Sequence, residues 1–177
     1  MVNSTCDTLP PDGGAAGGAA SLPPRPNDSR RAWMAVLARA STQELEGALR
    51  ATFADTPLPG YEWLRKPEIG LAMIRGRVGG TGDPFNVGET TVTRATLRLL
   101  PLDGCTPIGV AWQLGRDKRR AEYAALIDAL LQIPARHDAI QARVIAPLAS
   151  RQSERRGARS QAAAGTKVEF FTMVRGD

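Results

Sequence analysis

Four arginines sit in two strand-like runs flanking a glycine-rich turn. The first run, Leu71 to Val78, carries Arg75 and Arg77, and the second, Glu89 to Leu99, carries Arg94 and Arg98. Strand side chains alternate between faces. Ala72, Ile74 and Val78 then share one face of the first run, and Ala95, Leu97 and Leu99 one face of the second. Pairing the runs with apolar faces together places all four arginines on the opposite side. Such a face beside Gly79-Gly80-Thr81-Gly82 could hold a polyanion, or the acidic surface of a partner. The glycine turn lacks P-loop spacing and has no Lys-Ser or Lys-Thr pair to close it, so positive φ for a tight turn also explains it.

A second basic constellation is Gly115-Arg116-Asp117-Lys118-Arg119-Arg120, directly after a strand and at a helix start. Unpaired N–H groups and the positive dipole end favour anions there. Two readings stand: an anion site built on Arg116 and Lys118, or an ordinary Asp117 N-cap followed by a solvated basic turn. Glu122 and Asp128 point in different directions around that helix, which argues against a two-carboxylate acid/base site and for surface or interface roles. His137 is the only histidine and has no nucleophile or carboxylate cluster near it in sequence, which points to the surface. No Ser-His-Asp arrangement, metal motif or dinucleotide fingerprint is present, so no catalytic residue and no metal ligand is assigned.

The elements that position these groups follow from pattern. Residues 1–29 are rich in Gly, Ala, Pro and Ser and cannot bury enough surface to offset ordering, so they read as a disordered tail. Residues 30–177 read as one α+β domain. Helix one, capped by Asp28 or Ser29, carries Trp33, Val36, Leu37 and Ala40 at helical spacing. Helix two, capped by Ser41 or Thr42, carries Leu45, Ala48, Leu49 and Phe53, and the two form a helical hairpin. Tyr61 to Arg65 reads as a short strand ending at Pro67. The glycine hairpin follows, and then Ile108, Val110, Trp112 and Leu114 alternate with Gly109, Ala111 and Gln113 as a half-buried strand, giving a small antiparallel sheet of about four strands. A helix with Tyr123, Ile127, Leu130 and Leu131 on its buried stripe stops before Pro134. Another starts near Ala135, with Pro147 kinking or restarting it. Ser150 to Ala164 is polar and arginine-rich, and needs a partner surface to be stable. The chain ends in a strand-like tail with Phe170, Phe171, Met173 and Val174, residues that call for burial here or in another subunit.

Composition limits the function classes. The chain has 177 residues, net charge +5 and a hydrophobic content of 42%. No apolar run spans a membrane, Cys6 and Cys105 are too few and too far apart for a metal cluster, and the start lacks a signal peptide, so a cytoplasmic protein is expected. A basic sheet with Tyr61, Trp63 and Trp112 could bind nucleic acid or nucleotide as a polyanion module without a catalytic role. Aromatic content of only 5% argues against nucleic acid.

Three stretches resemble a known family. They are Arg77-Val78-Gly79-Gly80-Thr81-Gly82 with Thr91-Val92-Thr93-Arg94; Leu114-Gly115-Arg116-Asp117-Lys118 with Ala125-Leu126-Ile127-Asp128-Ala129-Leu130; and Phe170-Phe171-Thr172-Met173-Val174-Arg175-Gly176-Asp177. Together they resemble the G subunit of the bacterial carbon–phosphorus lyase system, from about Arg31 to Asp177. The long Gly/Ala/Pro start and the stretch from Arg155 to Gly165 depart from that family's pattern. The resemblance implies a non-autonomous subunit of a phosphonate ribosyl-triphosphate transferase, working with subunits H, I, J and L in organic phosphonate catabolism. A phosphonate such as methylphosphonate displaces adenine from MgATP, giving α-D-ribose 1-methylphosphonate 5-triphosphate. MgATP is the co-substrate of the complex, no cofactor belongs to this chain alone, and the nucleosidase chemistry is attributed to subunit I. Substrates of such dense negative charge suit arginine forks, which makes Arg75, Arg77, Arg94, Arg116 and Lys118 the candidate ligand-side residues, with Gly79, Gly80, Thr81 and Gly82 offering backbone donors. The opposing reading gives the same arginines to acidic patches of partner subunits. Phe170, Phe171, Met173, Val174 and Arg175 are then interface residues.

Overall fold

A computed structural model describes residues 26–54 and 56–166. Two helices, α1 (Pro26–Leu37) and α2 (Thr42–Thr52), precede three strands, β1 (Tyr61–Arg77), β2 (Pro84–Leu99) and β3 (Ile108–Leu114). Three helices close the chain: α3 (Lys118–Leu131), α4 (Pro134–Ile140) and α5 (Ala146–Ala164). The sheet is antiparallel in the order β1-β2-β3, an α+β arrangement. No helix among the described residues is long and apolar enough to cross a membrane.

The N-terminal hairpin forms as its pattern predicts. The Ser41 hydroxyl accepts from the Glu44 N–H, and the Glu44 carboxylate accepts from the Ser41 N–H, a reciprocal capping box. These bonds hold the Glu44 carboxyl below its ordinary range, the backbone bond from Ser41 first among the causes. Trp33, Leu37, Ala40, Leu45 and Leu49 are buried in the core. Helix α1 begins at Pro26, ahead of the expected caps, so Asp28 stands in its first turn, where the dipole favours an anion.

Among the described residues the sheet has three strands, because Tyr61 to Arg65 and Leu71 to Arg77 are one 17-residue strand. Pro67, expected to end the first of them, is absorbed. It lies on the edge strand, and the pairing with β2 slips between Trp63 and Arg65 and again between Arg65 and Glu68. A residue without an N–H is tolerated at such an irregular edge.

Helix α3 is the centre of the molecule. It packs between the sheet and the other helices, and its residues from Ala124 to Leu131 are all buried. Ala121, Ala125 and Ala129 make its sheet side flat. Across from them a Cβ on Gly109 would lie 1.9 Å from the Ala125 carbonyl oxygen. The helix therefore sits almost on the β3 backbone, and Gly109, Ala111 and Gln113 turn inward. The alternation expected in β3 is present with its sides exchanged. Ile108, Trp112 and Leu114 face solvent.

The interruption near Pro147 is a π-helical turn at Gln141–Ile145, where the Ala146 N–H reaches back to the Gln141 carbonyl. Proline offers no N–H to the Arg143 carbonyl, and the wider turn re-routes the ladder. Helix α5 then runs unbroken to Ala164. Its hold on the body is narrow: Leu148 is buried, Gln152 Nε2 donates to the Val36 carbonyl at 2.9 Å, and Arg155 pairs with Glu44 at 3.0 Å. The apolar C-terminal residues Phe170, Phe171, Met173, Val174 and Arg175 lie outside the described residues, as do residues 1–25.

Candidate functional site: a projecting hairpin and the arginines around it

The β1–β2 hairpin leaves the body near Glu68 and continues unaccompanied. From Glu68 to Glu89 no residue is buried, whereas Val92, Thr93, Ala95, Leu97 and Leu99 of the same strand are. At about 3.3 Å per residue, this arm extends roughly 30 Å from the core. Ile69, Leu71, Met73, Ile74, Val78, Phe85 and Val87 are all exposed along it. A two-stranded ribbon is marginal on its own in water, and a row of uncovered apolar side chains marks a surface that meets another molecule.

The four arginines do not share a face or a place. Glu68 pairs with Arg94, so strand alternation puts Gly70, Ala72 and Ile74 on the Arg94 side. Arg75 and Arg77 fall on the other side, in line with Ile69, Leu71 and Met73. Seven residues separate Glu68 from Arg75 in β1, roughly 23 Å of strand, so Arg75 and Arg94 cannot grip one small ligand. The hairpin register, which pairs Glu68 with Arg94 and Ala72 with Thr90, sets this arrangement and is invisible in the runs taken separately.

Arg94 and Arg98 are engaged within the chain. Arg94 Nε donates to Glu68 at 2.6 Å, and its guanidinium lies 5.6 Å from the centre of the Trp112 ring. Arg98 pairs with Glu62 at 2.9 Å, and Arg65 with Glu68 at 3.0 Å. The Arg94 hydrogen bond is the first cause holding the Glu68 carboxyl below its usual range. This outer sheet face is a ladder of alternating charges. Tyr61 and Trp63 are also turned away from it, packed edge to face at 5.1 Å against the core. The platform of bare arginines and stacked aromatics that would suit single-stranded nucleic acid is therefore not assembled here.

The glycine turn has the geometry of a tight turn. Gly79 and Gly80 have φ of 60° and 80°, the region that glycine favours, and the Gly82 N–H donates to the Val78 carbonyl. Arg77 Nη1 closes the turn on the Gly82 carbonyl at 2.9 Å, beside exposed Thr81. Arg116 and Lys118 are exposed at the start of α3. That helix end is already occupied by its own carboxylate: Asp117 accepts from the Arg120 N–H at 3.0 Å and also from the Thr42 hydroxyl. The bond from Thr42 is the first cause lowering the Asp117 pKa. Of the two readings for this stretch, the N-cap followed by a solvated basic turn describes what is built.

Two residues read as surface groups are interior. Asp128 has no exposed surface and accepts from four residues: Arg30 through Nη2 at 2.7 Å and Nε at 3.2 Å, Trp33 Nε1 at 2.9 Å, the Val110 N–H at 3.0 Å and Gln132 Nε2 at 3.4 Å. His137 is half-buried, its ring 5.5 Å from Trp33 and its Nδ1 2.7 Å from the Leu131 carbonyl. Glu122 accepts from the Tyr61 hydroxyl at 2.6 Å. Each titratable group of the interior is thus bonded to the fold itself. Among the described residues no three His, Cys, Asp or Glu side chains gather as a metal site would require.

Sequence comparison places this geometry among known proteins. The family described as phosphonate metabolism protein PhnG matches residues 28–176. A relative from Rhizobium meliloti (strain 1021), described as alpha-D-ribose 1-methylphosphonate 5-triphosphate synthase subunit PhnG, is 43% identical over 148 residues, covering 84% of this chain and 90% of the relative.

Proposed function

The chain belongs to the PhnG family of phosphonate metabolism proteins, and from that we propose that it is a docking subunit of an α-D-ribose 1-methylphosphonate 5-triphosphate synthase. The observation that supports this role is the projecting hairpin, with its exposed apolar residues and no layer among the described residues beneath them. In the proposed reaction of the complex, an oxygen of the phosphonate bonds to the ribose C1′ of MgATP. The bond from C1′ to adenine breaks, and adenine leaves with the electron pair. Glu122, Asp128 and His137 are bonded within the fold, so the contribution we assign to this chain is to hold the complex together and shape the site that other subunits supply.

The partners in this reading are subunits H, I, J and L of the carbon–phosphorus lyase system, and the location is the cytoplasm. The arm enters a groove of a neighbouring subunit. Ile69, Leu71 and Met73 supply the apolar contact. Arg75 and Arg77, next along the same face, meet carboxylates of the partner or the phosphates of its ligand. Phe170, Phe171, Met173, Val174 and Arg175 form a second contact.

The test is co-expression with tagged subunit I, and separately with H, I and J, followed by native mass spectrometry. The unmodified chain is expected to travel with its partners. The double substitution Leu71→Asp and Met73→Asp should abolish the complex while the circular dichroism of the isolated chain stays unchanged. Complexes that form equally well with this double variant would refute the arm as the docking element.

A further inference from the structure

We propose that the cleft between α5 and the junction of β3 with α3 is a binding site for a polyphosphate anion. The cleft is about 930 Å³, and five arginines line it: Arg39, Arg120, Arg155, Arg156 and Arg159. No carboxylate is among its lining residues. The acids nearest in sequence are turned to other partners. Glu154 accepts from Ser150, and Asp117 is held by Thr42 and the Arg120 N–H. Among the described residues, only Arg155 of the five has a carboxylate partner, Glu44.

Two of these guanidinium groups are held in place by backbone oxygens. Arg120 donates to the Ala38 carbonyl at 2.6 Å and to the Leu114 carbonyl at 3.4 Å, and Arg39 donates to the Ala35 carbonyl at 2.9 Å. Neutral carbonyls orient these side chains without cancelling their charge. Arg156 and Arg159 are exposed on α5 and complete the wall. Like charges gathered this way repel unless an anion enters, and guanidinium forks match phosphate oxygens two at a time. The volume suits a chain of phosphates better than a single one. The phosphates could be those of free polyphosphate or of a nucleotide, and the titrations below separate the two. This inference rests on the cleft alone and does not depend on the docking role of the arm.

Isothermal titration calorimetry of the full chain with sodium tripolyphosphate tests it, followed by ATP in the absence of magnesium. Saturable binding of tripolyphosphate is expected. The double variant Arg156→Gln, Arg159→Gln should weaken it by about tenfold or more with helicity and thermal midpoint unchanged. The control Arg31→Gln, Arg50→Gln removes the same charge outside the cleft and should leave affinity within about twofold. ATP binding as tightly as tripolyphosphate identifies a nucleotide's phosphates as a sufficient source, and tripolyphosphate binding alone identifies the free anion. Absence of saturable tripolyphosphate binding, or equal weakening by both double variants, overturns the assignment.

Discussion

Asp128 ties α1, β3 and α3 together through one carboxylate. It accepts from Arg30, Trp33, the Val110 N–H and Gln132, and so covers part of the free edge of β3. Removing it strands a buried indole N–H and unpairs the partly exposed Arg30 guanidinium. We expect Asp128→Ala to cost about 3–5 kcal/mol in urea unfolding, and Asp128→Asn to cost less because an acceptor remains. Tyr61 gives a pH signature. Burial first, and then its bond to Glu122, push its phenol up to about 12. The unfolded chain ionises near 10 and the folded one later, so this contribution is complete below pH 10 and is lost as pH rises towards 12. Tyr61→Phe should flatten the fall in thermal midpoint across that window.

At the scale of elements, β3 and the hairpin are governed by what lies beneath them. β3 turns its small residues inward because α3 approaches within reach of its backbone. Gly109→Ala would drive a methyl group into the Ala125 carbonyl and the Ala129 side chain, and we expect a loss of about 1–3 kcal/mol or more by chemical denaturation. The hairpin arm has no described residue packed beneath it, and its turn depends on glycine backbone. The double substitution Gly79→Ala and Gly80→Ala should weaken the turn by about 1 kcal/mol per site, since both φ angles are positive. The body, whose core lies elsewhere, should keep its thermal midpoint. Loss of complex assembly with an intact body is the outcome to seek by native mass spectrometry.

At the scale of the whole molecule, a compact helical layer and α3 hold one half of the sheet, and the other half reaches outward. Stability therefore resides in the first part, and the docking we propose in the second. Core substitutions such as Leu130→Ala should unfold the chain, at a cost of about 2–5 kcal/mol. Deleting Phe170 to Asp177 should leave the melting transition in place and abolish co-purification with subunit I. A deletion that lowers the melting transition as much as Leu130→Ala does would assign the tail to the chain's own core.

The sequence by itself determined the helices, the Ser41 and Asp117 caps, the turn glycines and the family. Capping boxes, 3.6-residue periodicity and positive-φ glycines are local matters, settled within a few residues of one another. Only the tertiary structure decided which side of a strand is the inside. The pattern in β3 shows an apolar side and a small side, and depth of packing chose the small one, because the alanines of α3 could approach only a glycine. Tertiary structure likewise separated Arg75 and Arg77 from Arg94 through the hairpin register that pairs Glu68 with Arg94, and buried Asp128 by bringing Arg30, Trp33 and Val110 to it from distant parts of the chain. It also brought the arginines of α5 beside Arg39 and Arg120, more than 30 residues away in sequence. Charge sums and local patterns cannot see such meetings, because they depend on how helices and sheet stack.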